Sequence, residues 1–519
     1  MTEPGSDQAD RVRAAELIAS MCLATDLGMG FPYEHGLEAT MITMRLAEAL
    51  DVDDQTRSQT YYASLLMYVG CTVDEAERSD IFGGSMVRHH THRQFGSPSE
   101  SLMGVIRALP SPGAGVMQRG WQVARGLPRV RRFISGHFAS LCEVAGMLAE
   151  RLGMPEEVTV MFSLLTERWD GRSVLGRARG DEIPLPLRIT HVGRDAAYQR
   201  LIGDDDYVRG VIGDRSGKAF DPAVVDAFLR DFDHILGPPE PPPSSWDDVL
   251  DLEPKPRIVL EGPAIEDALR AMGNFADLAS PHLAGHSPGV ADLAARAAEL
   301  HGFPDSEVRL IRMAGLVHDI GRTAVMARIW NKPGSLTGDE REKVRLHPYH
   351  TDRILSRSPY LSEIRSIAMT HHERLDGSGY HRGLGASSLT PACRLLGVAD
   401  AFRSKIESRP YRPPLSPEET TKVLAAKAET GAYDPSMVEA VAAAAGQTAP
   451  SIPRPAGLTD REVEVLRLVA KGLQTKQIAR ELGISPKTAD RHIQNSYRKM
   501  NVSSRAAATL FAAENGLIA

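Results

Sequence analysis

Two proline-rich stretches constrain the fold of this chain more than any other feature. Leu236 to Arg257 (LGPPEPPPSSWDDVLDLEPKPR) and Gly446 to Gly457 (GQTAPSIPRPAG) are crowded with prolines, each lacking an N–H and locked in φ, so neither stretch is expected to be helical. Both read as stiff, extended spacers. They cut the 519 residues into blocks 1–236, 257–446 and 457–519, with linkers at 237–256 and 447–456. That length suits about three domains. Within the blocks apolar residues recur at helical spacing, as in the stripe Val290, Leu293, Ala294, Ala297, Ala298 and Leu300. Alternating β-branched runs are few, so the fold class is all-α. Helix starts are well marked. Thr337 with Glu340 and Thr459 with Glu462 have capping-box spacing, and Ser416 and Ser485 each precede a proline at the first helical position.

Composition narrows the chemistry. The start, MTEPGSDQAD, is polar and acidic, and no apolar run approaches the roughly 18 residues of a membrane span. A cytoplasmic protein with no membrane partner is expected. Cys22, Cys71, Cys142 and Cys393 lie far apart, which argues against a disulfide framework and a thiolate metal site. Any metal must be held by histidines and carboxylates. A net charge of -7 argues against nucleic-acid binding by the chain as a whole, because phosphate neutralisation needs excess Lys and Arg.

The first two blocks contain a weak, long repeat. His35 before GLEATMITMRLAEAL parallels His286 before SPGVADLAARAAEL, ASLLMYVG parallels AGLVHDIG, and ERWDG parallels ERLDG. KAFDPAVVDAFL likewise parallels GAYDPSMVEAVA. Polar residues differ between the copies: Met67 and Tyr68 stand where the second has His318 and Asp319, and Leu165 and Thr166 where it has His371 and His372. A duplicated helical domain whose first copy is degenerate and regulatory is expected. In that copy RHHTHR (88–93) places His89 and His92 at i, i+3; with no further ligand nearby it reads as a basic, solvated surface.

The second copy gathers His286, His318-Asp319, His347, His350, His371-His372 and Asp400. Histidine and carboxylate without thiolate suit iron, manganese or a similar divalent ion. Adjacent helical residues diverge by about 100°, so the doublets are easier to explain with two metals than with one. Such a pair, bridged by a carboxylate, activates water for phosphoester displacement.

The stretches GHSPGV, GLVHDIGR, NKPGSLTGDE, LHP, HHERLDGSGY and GVADAFRSKIESRPYR together resemble the HD-GYP family, helical HD-superfamily phosphohydrolases that cleave cyclic di-GMP. The resemblance covers essentially the whole second block. It implies His286, His318, Asp319, His347, His371, His372 and Asp400 as metal ligands, with Asp319 as the bridge. It also implies a substrate-facing loop containing Asp376, Gly377, Gly379 and Tyr380, with Arg409 as a further substrate contact. His350 matches no family ligand and reads as surface or outer shell. The sequence departs from the family at three places. The family Lys three residues after the HD aspartate is Arg322, assigned a catalytic role in stabilising phosphate charge; guanidinium grips phosphate well but donates protons poorly. The proline of the GYP signature is His381, and His282 stands where members with a third metal carry Glu. Two divalent ions, iron or manganese, are therefore expected.

The last block reverses the charge. Residues 457–519 hold ten Lys and Arg against six Asp and Glu, a net +4, which leaves -11 for the rest. A basic module on an acidic body is the footprint of a nucleic-acid reader. A capped helix (LTDREVEVLRLVAKG), a short helix (TKQIARELG) and a longer helix from Lys487 make a helix-turn-helix pattern, whose second helix enters the major groove. In that helix Ala489, Ile493, Tyr497 and Met500 should point inward. Lys487, Asp490, Arg491, Gln494 and Arg498 should face DNA. This stretch closely resembles the LuxR-type DNA-binding domain. The resemblance implies four helices, dimeric binding to double-stranded DNA, and a transcriptional role; Thr488, His492, Lys499 and Arg505 match its pattern, and Thr488 and Lys499 join the expected DNA contacts.

The combined expectation is a homodimeric signalling protein that hydrolyses a cyclic dinucleotide, cyclic di-GMP first, and binds DNA. Two alternatives stay open: a transcriptional regulator whose second block senses nucleotide or metal without hydrolysis, and hydrolysis of another phosphoester.

Overall fold

A computed structural model describes residues 11–72, 95–109, 115–238, 244–448, 455–502, 505–514 and 517. His89 and His92 lie outside the described residues. The described chain is helical apart from one two-stranded antiparallel pairing, Arg11–Arg13 with Val259–Glu261. Among the described residues no helix is long and apolar enough to cross a membrane. Two compact units are present. One comprises the chain to Ala284 with Ile320–Glu340 and Arg353–Ser362; the other comprises Gly285–Asp319, Arg341–Asp352 and the chain from Glu363 onward. Neither unit is a single continuous block of sequence.

The duplication is visible in local detail. His35–Ala49 and His286–His301 each begin at a histidine preceded by a left-handed residue, Glu34 at φ 74° and Gly285 at φ 75°. Each packs against a 13-residue helix, Asp54–Leu66 in one copy and Asp305–Val317 in the other. Each also packs against a 16-residue helix, Leu185–Arg200 or Pro391–Ile406. From those last helices Arg188 reaches Asp221 at 2.6 Å, and Arg394 reaches Asp434 at 3.2 Å. Both aspartates cap the helix that follows them, at Ala223 N–H and Ser436 N–H. The DG turns match as well. Trp169 N–H donates to Ala219 O and Leu375 N–H to Ala432 O, both at 3.1 Å. Gly171 and Gly377 are left-handed at φ 70° and 74°, a conformation that favours glycine.

Two sequence expectations fail here. The 237–256 stretch is not a helix-free spacer: Trp246–Asp251 is α-helical, with Trp246, Val249 and Leu250 buried. Spacing of i, i+3, i+4 gives this short segment an apolar face, and the prolines only flank it. Ser245 N–H donates to Glu34 Oε2 at 2.7 Å and Tyr61 Oη to Val249 O at 3.0 Å, which ties the segment into the first unit. Leu300 is 59% exposed and does not belong to the buried stripe. Ten residues from Val290 it has swung roughly 80° off that face.

The caps read from sequence are present: reciprocal bonds join Thr337 with Glu340 and Thr459 with Glu462, and Ser416 and Ser485 accept from Glu419 and Thr488 N–H. The basic block folds into four helices, Asp460–Ala470, Thr475–Glu481, Pro486–Lys499 and Arg505–Glu514. Its core includes Val465, Val469, Ile478, Ala489 and Ile493.

Candidate metal centre and DNA-reading helix

Seven side chains converge within the second unit from five places in the chain. His286 opens its helix, His318 and Asp319 follow the end of Asp305–Val317, and His347 opens His347–Leu355. His371 and His372 sit in the turn after Pro359–Ala368, and Asp400 lies inside Pro391–Ile406. They form two groups, His286, His318, Asp319 and Asp400, and His347, His371 and His372, whose candidate ligand atoms lie within 4.8 Å of one another in each group. Asp319 stands between them. Its Oδ2 is 2.9 Å from His318 Nε2 and 3.4 Å from His286 Nε2, while its Oδ1 is 3.2 Å from His347 Nε2 and 3.4 Å from His371 Nε2. Asp400 Oδ1 lies 3.2 Å from His286 Nε2, and Oδ2 lies 3.4 Å from His372 Nδ1.

The tautomers follow from what holds the rings. His318, His347 and His371 each direct Nδ1 at the carbonyl three residues earlier, Gly315, Val344 and Ala368, at 2.7, 2.6 and 2.6 Å. Nδ1 therefore carries the proton, and the Nε2 lone pair faces the centre. His286 Nδ1 is held at 2.8 Å by Glu407 Oε2. Lone pairs of imidazole and carboxylate thus meet at about 3 Å in a buried place, an arrangement that calls for a cation between them. Burial pushes His371 down to about 4 and His372 well below the usual imidazole range, where His371 adds to the effect. Burial opposes the charge on Asp400, but the facing His372 and His286 outweigh it and hold the carboxyl well below its ordinary value. Neutral imidazoles with ionised carboxylates are the states that bind metal. The donor set fits divalent ions.

Of the seven, only His372 is not fully buried, and the DGSGY loop folds over it. Tyr380 N–H donates to His372 O at 3.2 Å, and the two rings lie 4.6 Å apart. Asp376 Oδ1 accepts from Ser378 N–H at 3.0 Å, and Gly377 takes the left-handed turn. A Cβ on Gly379 would fall 2.5 Å from Glu373 Cα, so this backbone approach needs glycine. Arg409 pairs with Glu407 at 2.9 Å. Arg322 belongs to the first unit, buried in the short helix Ile320–Ala324 with its guanidinium 5.2 Å from the Trp330 ring centroid. Glu407 escaped the sequence reading. Its signal was the spacing to Asp400, seven residues or two turns, which brings the residue capping the helix back to the side that carries Asp400.

The first copy replaces this centre with a guanidinium. If Arg188 and Arg394 correspond, as their matching aspartate pairs indicate, Arg194 stands in the place of Asp400. Arg194 is 3% exposed and lies 4.2 Å over the ring of Tyr68, the counterpart of Asp319. His35, counterpart of His286, is pushed down to about 3 by burial and then by Arg194.

In the basic block, Lys487, Asp490, Arg491, Gln494 and Arg498 are exposed on Pro486–Lys499, while Ala489, Ile493 and Met500 are buried. Thr488 is bonded to the cap Ser485, its Oγ1 at 2.7 Å. Lys499 is committed inside the domain, donating to Gly457 O at 2.8 Å and pairing with Glu462 at 2.7 Å.

Residues 270–437 match the HD domain family, and residues 456–512 match the bacterial regulatory proteins of the luxR family. The chain carries an HD domain followed by a LuxR-family domain. The 3'3'-cGAMP-specific phosphodiesterase 3 of Vibrio cholerae is 26% identical over 436 residues, 82% of this chain and 93% of that protein. A cyclic di-GMP phosphodiesterase of Thermotoga maritima is 40% identical over 157 residues, 30% of this chain and 42% of its own length. Among solved structures, a cyclic GMP-AMP specific phosphodiesterase of V. cholerae superposes with a TM-score of 0.57 at 24% identity, over 84% of this chain and 98% of that one. That likeness extends well beyond the HD domain and supports the same helical fold. All seven converging side chains lie inside the HD-domain match.

Proposed function

We propose that this chain is a metal-dependent phosphodiesterase that opens a cyclic dinucleotide, with a LuxR-family domain that binds double-stranded DNA and couples the signal to transcription. The observation that carries the reading is the pair of buried His/Asp groups with one oxygen of Asp319 facing each. Two divalent ions, iron or manganese by donor type, would be held by His286, His318, Asp319 and Asp400 on one side and by His347, His371, His372 and Asp319 on the other. Such a pair supplies an activated water and stabilises both the attacking and leaving oxygens of a phosphoester.

The chain's own groups do the rest. The carbonyls of Gly315, Val344 and Ala368 keep three imidazoles in the ligating tautomer. The Asp376–Tyr380 loop is assigned to the substrate, with Tyr380 stacking on a base. Arg409 is assigned a phosphate oxygen. Hydrolysis adds one water across a P–O ester bond, leaving a phosphomonoester and a free hydroxyl. Cyclic di-GMP and 3'3'-cGAMP are both substrates of the relatives by name, and cyclic di-GMP is the first candidate for this chain. Lys487, Thr488, Asp490, Arg491, Gln494 and Arg498 are assigned to DNA, bound as a homodimer.

The test is direct. Purified protein is assayed for bound metal and for cleavage of cyclic di-GMP and 3'3'-cGAMP, beside Asp319→Ala. Linear product from the wild type but not from Asp319→Ala is expected. Full metal loading without product from either dinucleotide would overturn hydrolysis and leave a nucleotide or metal sensor attached to a DNA reader.

A further inference from the structure

Of the four centre histidines whose Nδ1 lies within 2.8 Å of an oxygen, His286 is held differently. His318, His347 and His371 use the carbonyl three residues earlier in their own local turn. His286 is the first residue of its helix and follows a left-handed Gly285, and its Nδ1 meets a side chain in place of a local carbonyl. The partner comes from 121 residues away: Glu407, immediately after Pro391–Ile406, places Oε2 2.8 Å from His286 Nδ1. The same Oε2 is 2.9 Å from the Arg409 guanidinium, and Oε1 is 3.0 Å from that of Arg403. The carboxylate side chain is only 16% exposed. One anion thus faces an imidazole and two guanidiniums, bonded through Oε2 to His286 and Arg409 and ion-paired with Arg403 through Oε1.

We propose that Glu407 is a positioning residue that holds His286 as the Nδ1–H tautomer, so that Nε2 is presented to metal, and that it orients Arg409 through the same oxygen. A carboxylate behind a ligating imidazole also raises the basicity of the ligand, which a backbone carbonyl does more weakly. Because one oxygen serves both groups, the phosphate contact assigned to Arg409 is aligned with the metal group that contains His286. This inference rests on the metal-centre reading of the second unit.

The test uses the full-length chain and Mn2+ affinity measured by chelator competition, with the far-UV circular dichroism and unfolding midpoint of the metal-free protein as fold controls. Glu407→Ala is expected to weaken Mn2+ binding by about 10- to 100-fold, the range found for outer partners of metal ligands. Glu407→Gln retains an oxygen that accepts from Nδ1–H and should lose less than about tenfold. Glu407→Met, which fills the space without offering an oxygen, should repeat the Ala result and serves in its place should Ala not fold. Arg409→Ala should keep the wild-type Mn2+ affinity while raising KM. Wild-type affinity in both the Ala and Met variants, or a Gln variant as weak as Ala, would overturn the inference. A wild-type protein that takes up no metal would instead refute the underlying reading of the centre.

Discussion

Gly315 offers a sensitive test of how packing sets the metal geometry. It lies in Asp305–Val317 where that helix meets His286–His301, and a Cβ there would fall 2.7 Å from Ala291 Cα and 3.1 Å from its N and Cβ. Carbon atoms pack at about 3.5–4 Å, so Gly315→Ala must part the helices by about 1 Å. Alanine gains about 1 kcal/mol of intrinsic helix stability, against an overpacking cost of about 1–3 kcal/mol. Net stability should therefore fall by no more than about 2 kcal/mol. The site bears the whole displacement, because His286 heads one helix while His318 and Asp319 end the other, with His286 Nε2 and Asp319 Oδ2 only 3.4 Å apart. A shift of about 1 Å in such a constellation costs on the order of 100-fold. We expect Mn2+ affinity and dinucleotide turnover to drop by about that factor, while the unfolding free energy from urea denaturation falls by no more than about 2 kcal/mol. Wild-type affinity and turnover in a folded Gly315→Ala protein would refute the claim that this contact sets the centre.

Three further outcomes are expected. Metal analysis should find the ions lost in Asp319→Ala and unaffected by Arg194→Lys, because Arg194 lies in the first copy; metal loss in Arg194→Lys would count against that division. Burial holds His35 and His191 at about 3, with Arg194 adding to both, while their unfolded forms protonate near 6.5. The unfolded chain binds more protons below pH 6.5, so their contribution is complete above that pH and declines as pH falls towards 3, by up to about 1.4 kcal/mol per pH unit per group. Denaturation at pH 7.5 and 5.5 should show a smaller difference in His35→Leu than in wild type, and an unchanged difference would contradict the assignment. In the LuxR-family domain Arg491→Ala and Arg498→Ala should each reduce the salt slope of duplex binding by about 1. Lys499→Ala should leave that slope alone and destabilise the domain by up to about 1 kcal/mol, because its ammonium is bound to Glu462 and Gly457; the reverse pattern would place Lys499 on the DNA.

Periodicity and punctuation suffice to read the helical class, the caps at Thr337, Ser416, Thr459 and Ser485, and three helices of the basic block; the fourth was implied by the LuxR-type resemblance. Each is a local property: a hydroxyl three residues before an N–H, or an apolar residue every third or fourth position, acts within one turn. The metal constellation was legible because its residue types are rare, clustered and ordered, and the copies could be compared position by position. Tertiary structure decided what depends on long-range contact. Proline count made 237–256 look like a spacer, yet Trp246, Val249 and Leu250 found a buried surface in the first unit. Lys499 matched a DNA-contact pattern, yet Glu462 lies 37 residues away in sequence and 2.7 Å away in space. Arg194 meeting Tyr68 and Glu407 meeting His286 are likewise pairings of distant residues. The sequence by itself determined which groups were available for chemistry; folding determined which lone pairs and charges face each other, because those distances are set by packing between segments that lie tens to more than a hundred residues apart.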